Sequence, residues 1–166
     1  PGNGIDDDGN GYVDDVYGWN FYNNNNQIFT GEEDSHGTHG AGTISAGTGN
    51  GIGIAGIVPG NRVRVMALKA LGGTDGGGST AAVIKAIRYA EDNGAVICNL
   101  SLTSTVDDKA LYEAMKNSSM LFVVATGNGN PKTGKGVDTD AIPFYPAAYD
   151  LDNIISVANL SIDGTL

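Results

Sequence analysis

Ala95-Val96-Ile97-Cys98-Asn99-Leu100-Ser101-Leu102 is an almost unbroken apolar run opened by Gly94. It is too short for a typical helix and begins with β-branched residues, so it reads as a strand buried on both faces, the kind that parallel sheets use. Upstream, Ser79 or Thr80 can cap a helix in which Ala82, Val83, Ala86, Ile87, Tyr89 and Ala90 recur at helical spacing, with Gly94 as its stop. Downstream, Asp107 to Asn117 is amphipathic through Leu111, Ala114 and Met115, and two further strands are predicted at Leu121 to Ala125 and Ile154 to Leu160. Toward the start, Val16 to Phe21 reads as a short strand and Arg62 to Leu71 as a buried one. A helix is predicted from His36 to about Ala46, and no regular structure over Gly72 to Gly78. Strands alternating with helices predict an α/β fold in three layers: a mostly parallel sheet, right-handed crossovers, and helices on both faces. The length of 166 residues fits one domain, and no internal repeat is visible.

The composition narrows the function classes. Nineteen acidic side chains against nine basic ones give a net charge of −10, which argues against binding a phosphate backbone and suits cation binding. No apolar run approaches the roughly 18 residues of a membrane span. Cys98, the single cysteine, excludes an internal disulfide and reads as an inert core thiol.

The two histidines of the chain share one phrase, Asp34-Ser35-His36-Gly37-Thr38-His39-Gly40-Ala41-Gly42-Thr43. Three positions apart, both rings could lie on one face of a helix's first turn, where small neighbours let a substrate approach. From these residues alone two readings stand open: a proton shuttle near neutral pH, or a capped helix start with a buried, hydrogen-bonded ring. A second motif, Val124-Ala125-Thr126-Gly127-Asn128-Gly129, carries an asparagine between glycines at the end of a strand.

A third phrase stands on its own physics. In Asp6-Asp7-Asp8-Gly9-Asn10-Gly11-Tyr12-Val13-Asp14-Asp15, hard oxygen donors alternate at Asp6, Asp8 and Asn10. Tyr12 offers a carbonyl, and Asp14 or Asp15 completes a candidate calcium cage. The terminal bidentate glutamate of an EF-hand is lacking, and a solvated acidic turn is the alternative.

Taken with their order and separation, the His36 phrase, the Asn128 phrase and the strand Val96 to Leu102 resemble the motifs of subtilisin-like serine proteases, the subtilases, over nearly the whole chain. The resemblance implies His36 as general base and Asn128 as oxyanion donor; His39 reads as a structural residue, packing or hydrogen-bonding behind the site. It also implies that Gly76, Gly77 and Gly78 and, opposite them, Ser101, Leu102 and Thr103 flank an extended peptide substrate. Thr103 stands where the family usually has glycine. Ala125, Thr126 and Gly127 would form a pocket wall, with Phe144 near its floor and a cis proline at Tyr145-Pro146. A second loop, Thr48 to Gly56, resembles a family calcium site, with Asn50, Ile52 and Ile54 as ligands. Structural Ca2+ and a secreted or cell-surface location follow from the same resemblance.

Two family elements have no counterpart here: the Asp-Thr/Ser-Gly strand of the orienting acid and the Gly-Thr-Ser-Met-Ala segment of the nucleophile. Ser35 and Ser101 lack the strand-to-helix elbow of a substitute nucleophile. The expectation is therefore a partial peptidase domain, inactive alone, whose sheet edges are completed by the rest of the domain or by a second copy. A non-catalytic pseudoprotease, or a module binding calcium or peptide, is the rival reading. A nucleotide-binding domain is disfavoured because Gly47 to Gly51 lacks the lysine of a phosphate loop.

Overall fold

The computed structural model describes residues 2–58, 60, 62–129, 133, 135–160, 162 and 164. The chain divides into two compact units, Pro1–Ala86 and Ile87–Leu166.

In the first unit, strand β1 (Gly18–Asn20) pairs in parallel with β2 (Ala67–Lys69), Trp19 opposite Leu68. Gly18 is obligatory there. Its φ is +131°, and a β-carbon would sit 1.8 Å from the Ala67 carbonyl oxygen. Trp19 and Phe21 are buried, and the Tyr12 ring meets both edge-on at centroid distances of 5.0 and 5.7 Å. Asn20 is fully buried but satisfied: its amide donates to the Gln27 carbonyl at 2.7 Å and its oxygen accepts from Asn23 N–H at 2.8 Å.

Helix α1 (Ser35–Ser45) follows a 3-10 turn at Glu32–Asp34 and buries no side chain. The returning loop pairs with its last turn: Gly56, Ile57 and Val58 N–H donate to the carbonyls of Ala46, Thr43 and Ile44. Two expectations fail in this unit. Of the strand foreseen over Arg62 to Leu71, only β2 and the two-residue β3 (Leu71–Gly72) form, and Val63 and Val65 are exposed. Gly72 to Gly78, foreseen as irregular, is a tight hairpin in which β3 pairs antiparallel with β4 (Gly77–Gly78) across a turn at Gly73 and Gly76, both with positive φ. Glycine, read as a breaker, is what the hairpin requires: a β-carbon on Gly78 would lie 2.7 Å from the Ala70 carbonyl oxygen.

Helix α2 (Thr80–Asp92) spans the division between the units. Ser79 Oγ accepts from Ala82 N–H at its start. At its end Gly94 adopts φ +80°, with Gly94 N–H on the Glu91 carbonyl and Ala95 N–H on that of Ala90, a Schellman closure.

The second unit is a parallel three-stranded sheet in the order β5 (Ile97–Leu100), β6 (Leu121–Ala125), β7 (Ile154–Val157). Helix α3 (Lys109–Lys116) connects β5 to β6. Its N-cap, the Asp108 carboxylate, accepts from Ala110 and Leu111 N–H. Register puts Cys98, Leu100, Phe122, Val124 and Ile154 on one sheet face, where Phe122 and Val124 are fully buried. Burying a side chain of this kind is worth about 1.5–3 kcal/mol. The amide of Asn153 lies 2.9 Å from the Met115 carbonyl and 3.2 Å from those of Ser118 and Met120, tying α3 to the sheet. The opposite face carries Ile97, Ile155 and Val157, all about half exposed. The strand expected over Ala95 to Leu102 is thus shorter than foreseen, and Val96 and Ile97 are exposed rather than buried. An apolar run reports what a strand could bury, not what covers it. Cys98 is a mostly buried thiol pushed up to about 11 by desolvation, in keeping with an inert role. The Tyr145-Pro146 bond is cis.

Candidate active site

In the second unit, a cleft of about 260 Å3 opens at the carboxyl ends of the three parallel strands. That is where open α/β sheets place their ligands, because strand ends and the loops that follow them converge there. Asn99 and Ser101 line it from β5, Val123 to Ala125 with Gly127 and Asn128 from β6, and Val157 to Asn159 from β7. The chain leaves β6 through Thr126, whose N–H bonds the Val157 carbonyl at 3.0 Å, and turns at Gly127 with φ +120°. A β-carbon on Gly127 would meet the Phe144 ring at 3.5 Å, so that ring borders the turn. Gly129, at φ +70°, has no room for a β-carbon beside the Lys135 carbonyl. The two glycines present Asn128 at the mouth of the cleft, exposed and on irregular backbone.

The structure therefore brings Ser101, Ala125, Gly127 and Asn128 to one cleft. Leu102 and Thr103 continue from Ser101 as irregular chain, and Ser104 then pairs with Tyr145. Sequence reasoning missed Asn99, Ala158 and Asn159. Asn99 carried a signal, a polar residue interrupting an apolar strand; its amide donates to Ser101 Oγ at 3.0 Å.

In the first unit, Gly76, Gly77 and Gly78 lie in the β3–β4 hairpin. His36 stands in the first turn of α1, and both it and His39 are exposed. α1 has no buried side. The helix entry is held by Asp34. Its carboxylate accepts from the Thr30 N–H at 2.7 Å, the Thr30 hydroxyl at 2.9 Å and the Lys69 ammonium, while its carbonyl accepts from the Thr38 hydroxyl at 3.2 Å. Burial alone would raise the Asp34 carboxyl, but the bonds from Lys69 and Thr30 outweigh it and hold it below the usual range.

The acidic loop is closed by its own hydrogen bonds. Asp6 accepts from the N–H groups of Gly9, Asn10 and Gly11, Gly11 foremost, and Asp14 from those of Gly4 and Asn3, so both carboxyls lie below their ordinary range. The Asn10 side chain bridges Asp8 at 3.2 Å and Asp15 at 2.9 Å, and Tyr12 N–H donates to its oxygen. Among the described residues no three His, Cys, Asp or Glu side chains are gathered as a metal cage. In the second loop the Asn50 oxygen accepts from Ile52 N–H at 3.0 Å, and the side chains of Ile52 and Ile54 are exposed.

The subtilase family model matches residues 2–165 of this chain. The chain belongs to the subtilase family. This subtilase is 36% identical over 147 residues to thermitase of Thermoactinomyces vulgaris, an alignment that covers 87% of the chain and 47% of thermitase. It is 38% identical over 130 residues to the major intracellular serine protease of Bacillus subtilis (76% of the chain, 38% of the relative). It is 37% identical over 132 residues to the minor extracellular protease Epr of the same organism (77% and 18%). The chain thus spans less than half the length of these relatives. The fold agrees with the family: helices and mostly parallel strands in open sheets, an incomplete α/β arrangement. No helix among the described residues is long and apolar enough to cross a membrane.

Proposed function

We propose that the gene product containing this subtilase chain is a serine endopeptidase. The observation that carries the proposal is Asn128, presented by two glycines at a cleft on the carboxyl ends of parallel strands. A carboxamide there can donate to the oxygen that becomes negative as a carbonyl turns tetrahedral. His36 accepts the proton of a serine hydroxyl as that oxygen attacks the peptide carbonyl, then delivers it to the leaving amine. Water releases the acyl group by the same steps in reverse. Ser101 to Thr103 and Gly76 to Gly78 flank the peptide main chain, and Ala125 to Gly127 wall the pocket. The serine and the orienting aspartate have no motif within these 166 residues, so the isolated chain hydrolyses nothing. The test is the gene product itself: it cleaves casein-derived peptides and is labelled by a fluorophosphonate, whereas the 166-residue chain does neither. A gene product that is inert to both contradicts the proposal.

The acidic loop is proposed to take structural Ca2+. What supports this is the donor chemistry and the Asn10 amide, a partial positive charge standing between Asp8 and Asp15 where a cation could replace it. Asn50, Ile52 and Ile54 are proposed for a second ion on family likeness alone. Secretion is proposed with them, since loops of this kind suit calcium-rich surroundings. Titrating the gene product with Ca2+ should give binding heat and a raised melting temperature, and Asp8→Asn/Asp15→Asn should lose the share of both that belongs to the acidic loop. No heat, and no change in melting on adding chelator, would remove calcium from the account.

A further inference from the structure

Helix α1 carries His36 yet has little of its own to hold it still. It buries no side chain, and Gly37, Gly40 and Gly42 weaken it, each by about 1 kcal/mol relative to alanine. Its last turn is pinned by the N–H groups of Gly56, Ile57 and Val58. The chain entering its first turn, where the imidazole sits, is tied down at Asp34, whose carboxylate holds Thr30 and a residue distant in sequence rather than the helix's own N–H groups. Lys69 closes β2, its backbone fixed by pairing with Asn20 and by Tyr22 N–H on its carbonyl. Its ammonium reaches the Asp34 carboxylate and, at 3.2 Å, the Thr30 hydroxyl. The side chains of Lys69 and Asp34 are only 7% and 10% exposed, so little of the pair itself faces water, although both residues lie near the surface and the bond is part-buried.

We infer that Lys69 is a positioning residue for catalysis: through Asp34 it sets the entry of α1 and hence the aim of the His36 ring. The inference rests on the endopeptidase reading for its kinetic consequence, but not for its structural one. General-base catalysis tolerates little misplacement, and a shift of about 1 Å can cost on the order of 100-fold in rate. Such a shift acts on kcat, since the imidazole does not hold the ground-state substrate.

The experiment uses Lys69→Met, Lys69→Arg and the double variant Asp34→Asn/Lys69→Met in the gene product. Lys69→Met should lower kcat per active site by roughly 10- to 100-fold with KM within about twofold. Lys69→Arg, which keeps the charge, should recover most of that loss. The double variant leaves no unpaired carboxylate at this position, so it folds even where Lys69→Met does not, and it should be no faster than Lys69→Met. Unchanged kcat in the folded double variant, or a KM effect alone, overturns the inference. A wild-type gene product that neither cleaves nor takes up fluorophosphonate marks failure of the endopeptidase reading instead. Side-chain NMR of the gene product then decides: the double variant should shift and broaden the His36 ring resonances while His39, one turn further on, stays put. Unmoved His36 resonances overturn the inference on their own.

Discussion

In the gene product that contains this chain, His36→Ala should lower kcat for peptide hydrolysis by a factor on the order of 10^4 to 10^6, the upper figure being the one known for the general base of subtilisin itself. Without the imidazole the attacking hydroxyl keeps its proton, and no other side chain of the α1 entry can take it. Ser35 and Thr38 are hydroxyls, and the Asp34 carboxylate is held by Lys69 and Thr30. His39 is no substitute: three residues further along the helix, its ring starts about one turn from that of His36. KM should stay within about threefold, because peptide binding is assigned to backbone rather than to the base. Pre-steady-state kinetics check this through loss of the acylation burst. A variant retaining a tenth or more of the wild-type kcat would remove His36 from its assigned role.

The second large effect is expected at Asn128. Replacement by leucine keeps the branched shape and removes the donor, and kcat should fall on the order of 100- to 1,000-fold, the size established for the oxyanion asparagine of subtilisin rather than one read from this chain. The loss belongs to the transition state, because a ground-state carbonyl oxygen carries little charge for the amide to stabilise. KM should accordingly be nearly unchanged, and the pH dependence should keep its shape, since no proton-transferring group is touched. The exposed position of Asn128 on irregular backbone makes a folding defect unexpected. A raised KM with intact kcat would make Asn128 a substrate-binding residue and leave the oxyanion without a side-chain donor.

Much of this was legible before any coordinates. Leu121 to Ala125 appears as the strand its short apolar run implies, with Phe122 and Val124 turned into the core. The Ser79 start and Gly94 stop of α2 follow from capping chemistry, which is local and therefore visible in sequence. What was not legible depends on partners distant in the chain. Val63, Val65, Val96 and Ile97 have strand character but lie exposed, because burial is decided by what packs against a segment and not by its own composition. Gly72 to Gly78 looked unstructured because glycine is penalised in strands; here the hairpin exists because the Ala70 carbonyl and the Tyr22 ring approach too closely for any β-carbon.

The candidate site divides in the same way. Asn128 stands out as an asparagine between two glycines after a strand. Asn99 could have been noticed as the polar residue in an apolar run. Ala158 and Asn159 have no such mark and enter the cleft only because β7 lies beside β6. The Lys69 contact to Asp34 joins residues 35 positions apart and leaves no local trace in either segment.

Two assigned roles carry the proposal: His36 takes the serine proton, and Asn128 stabilises the oxyanion. A crystal structure of the active gene product bound to a peptide boronate tests both most directly, because the boron becomes tetrahedral and mimics the attacked carbonyl. The account predicts one boronate oxygen accepting a hydrogen bond from Asn128 Nδ2 at about 2.7–3.1 Å, and the His36 ring within hydrogen-bond reach of the serine oxygen or of the second boronate oxygen. A boronate bound with either residue turned away from it would contradict the account.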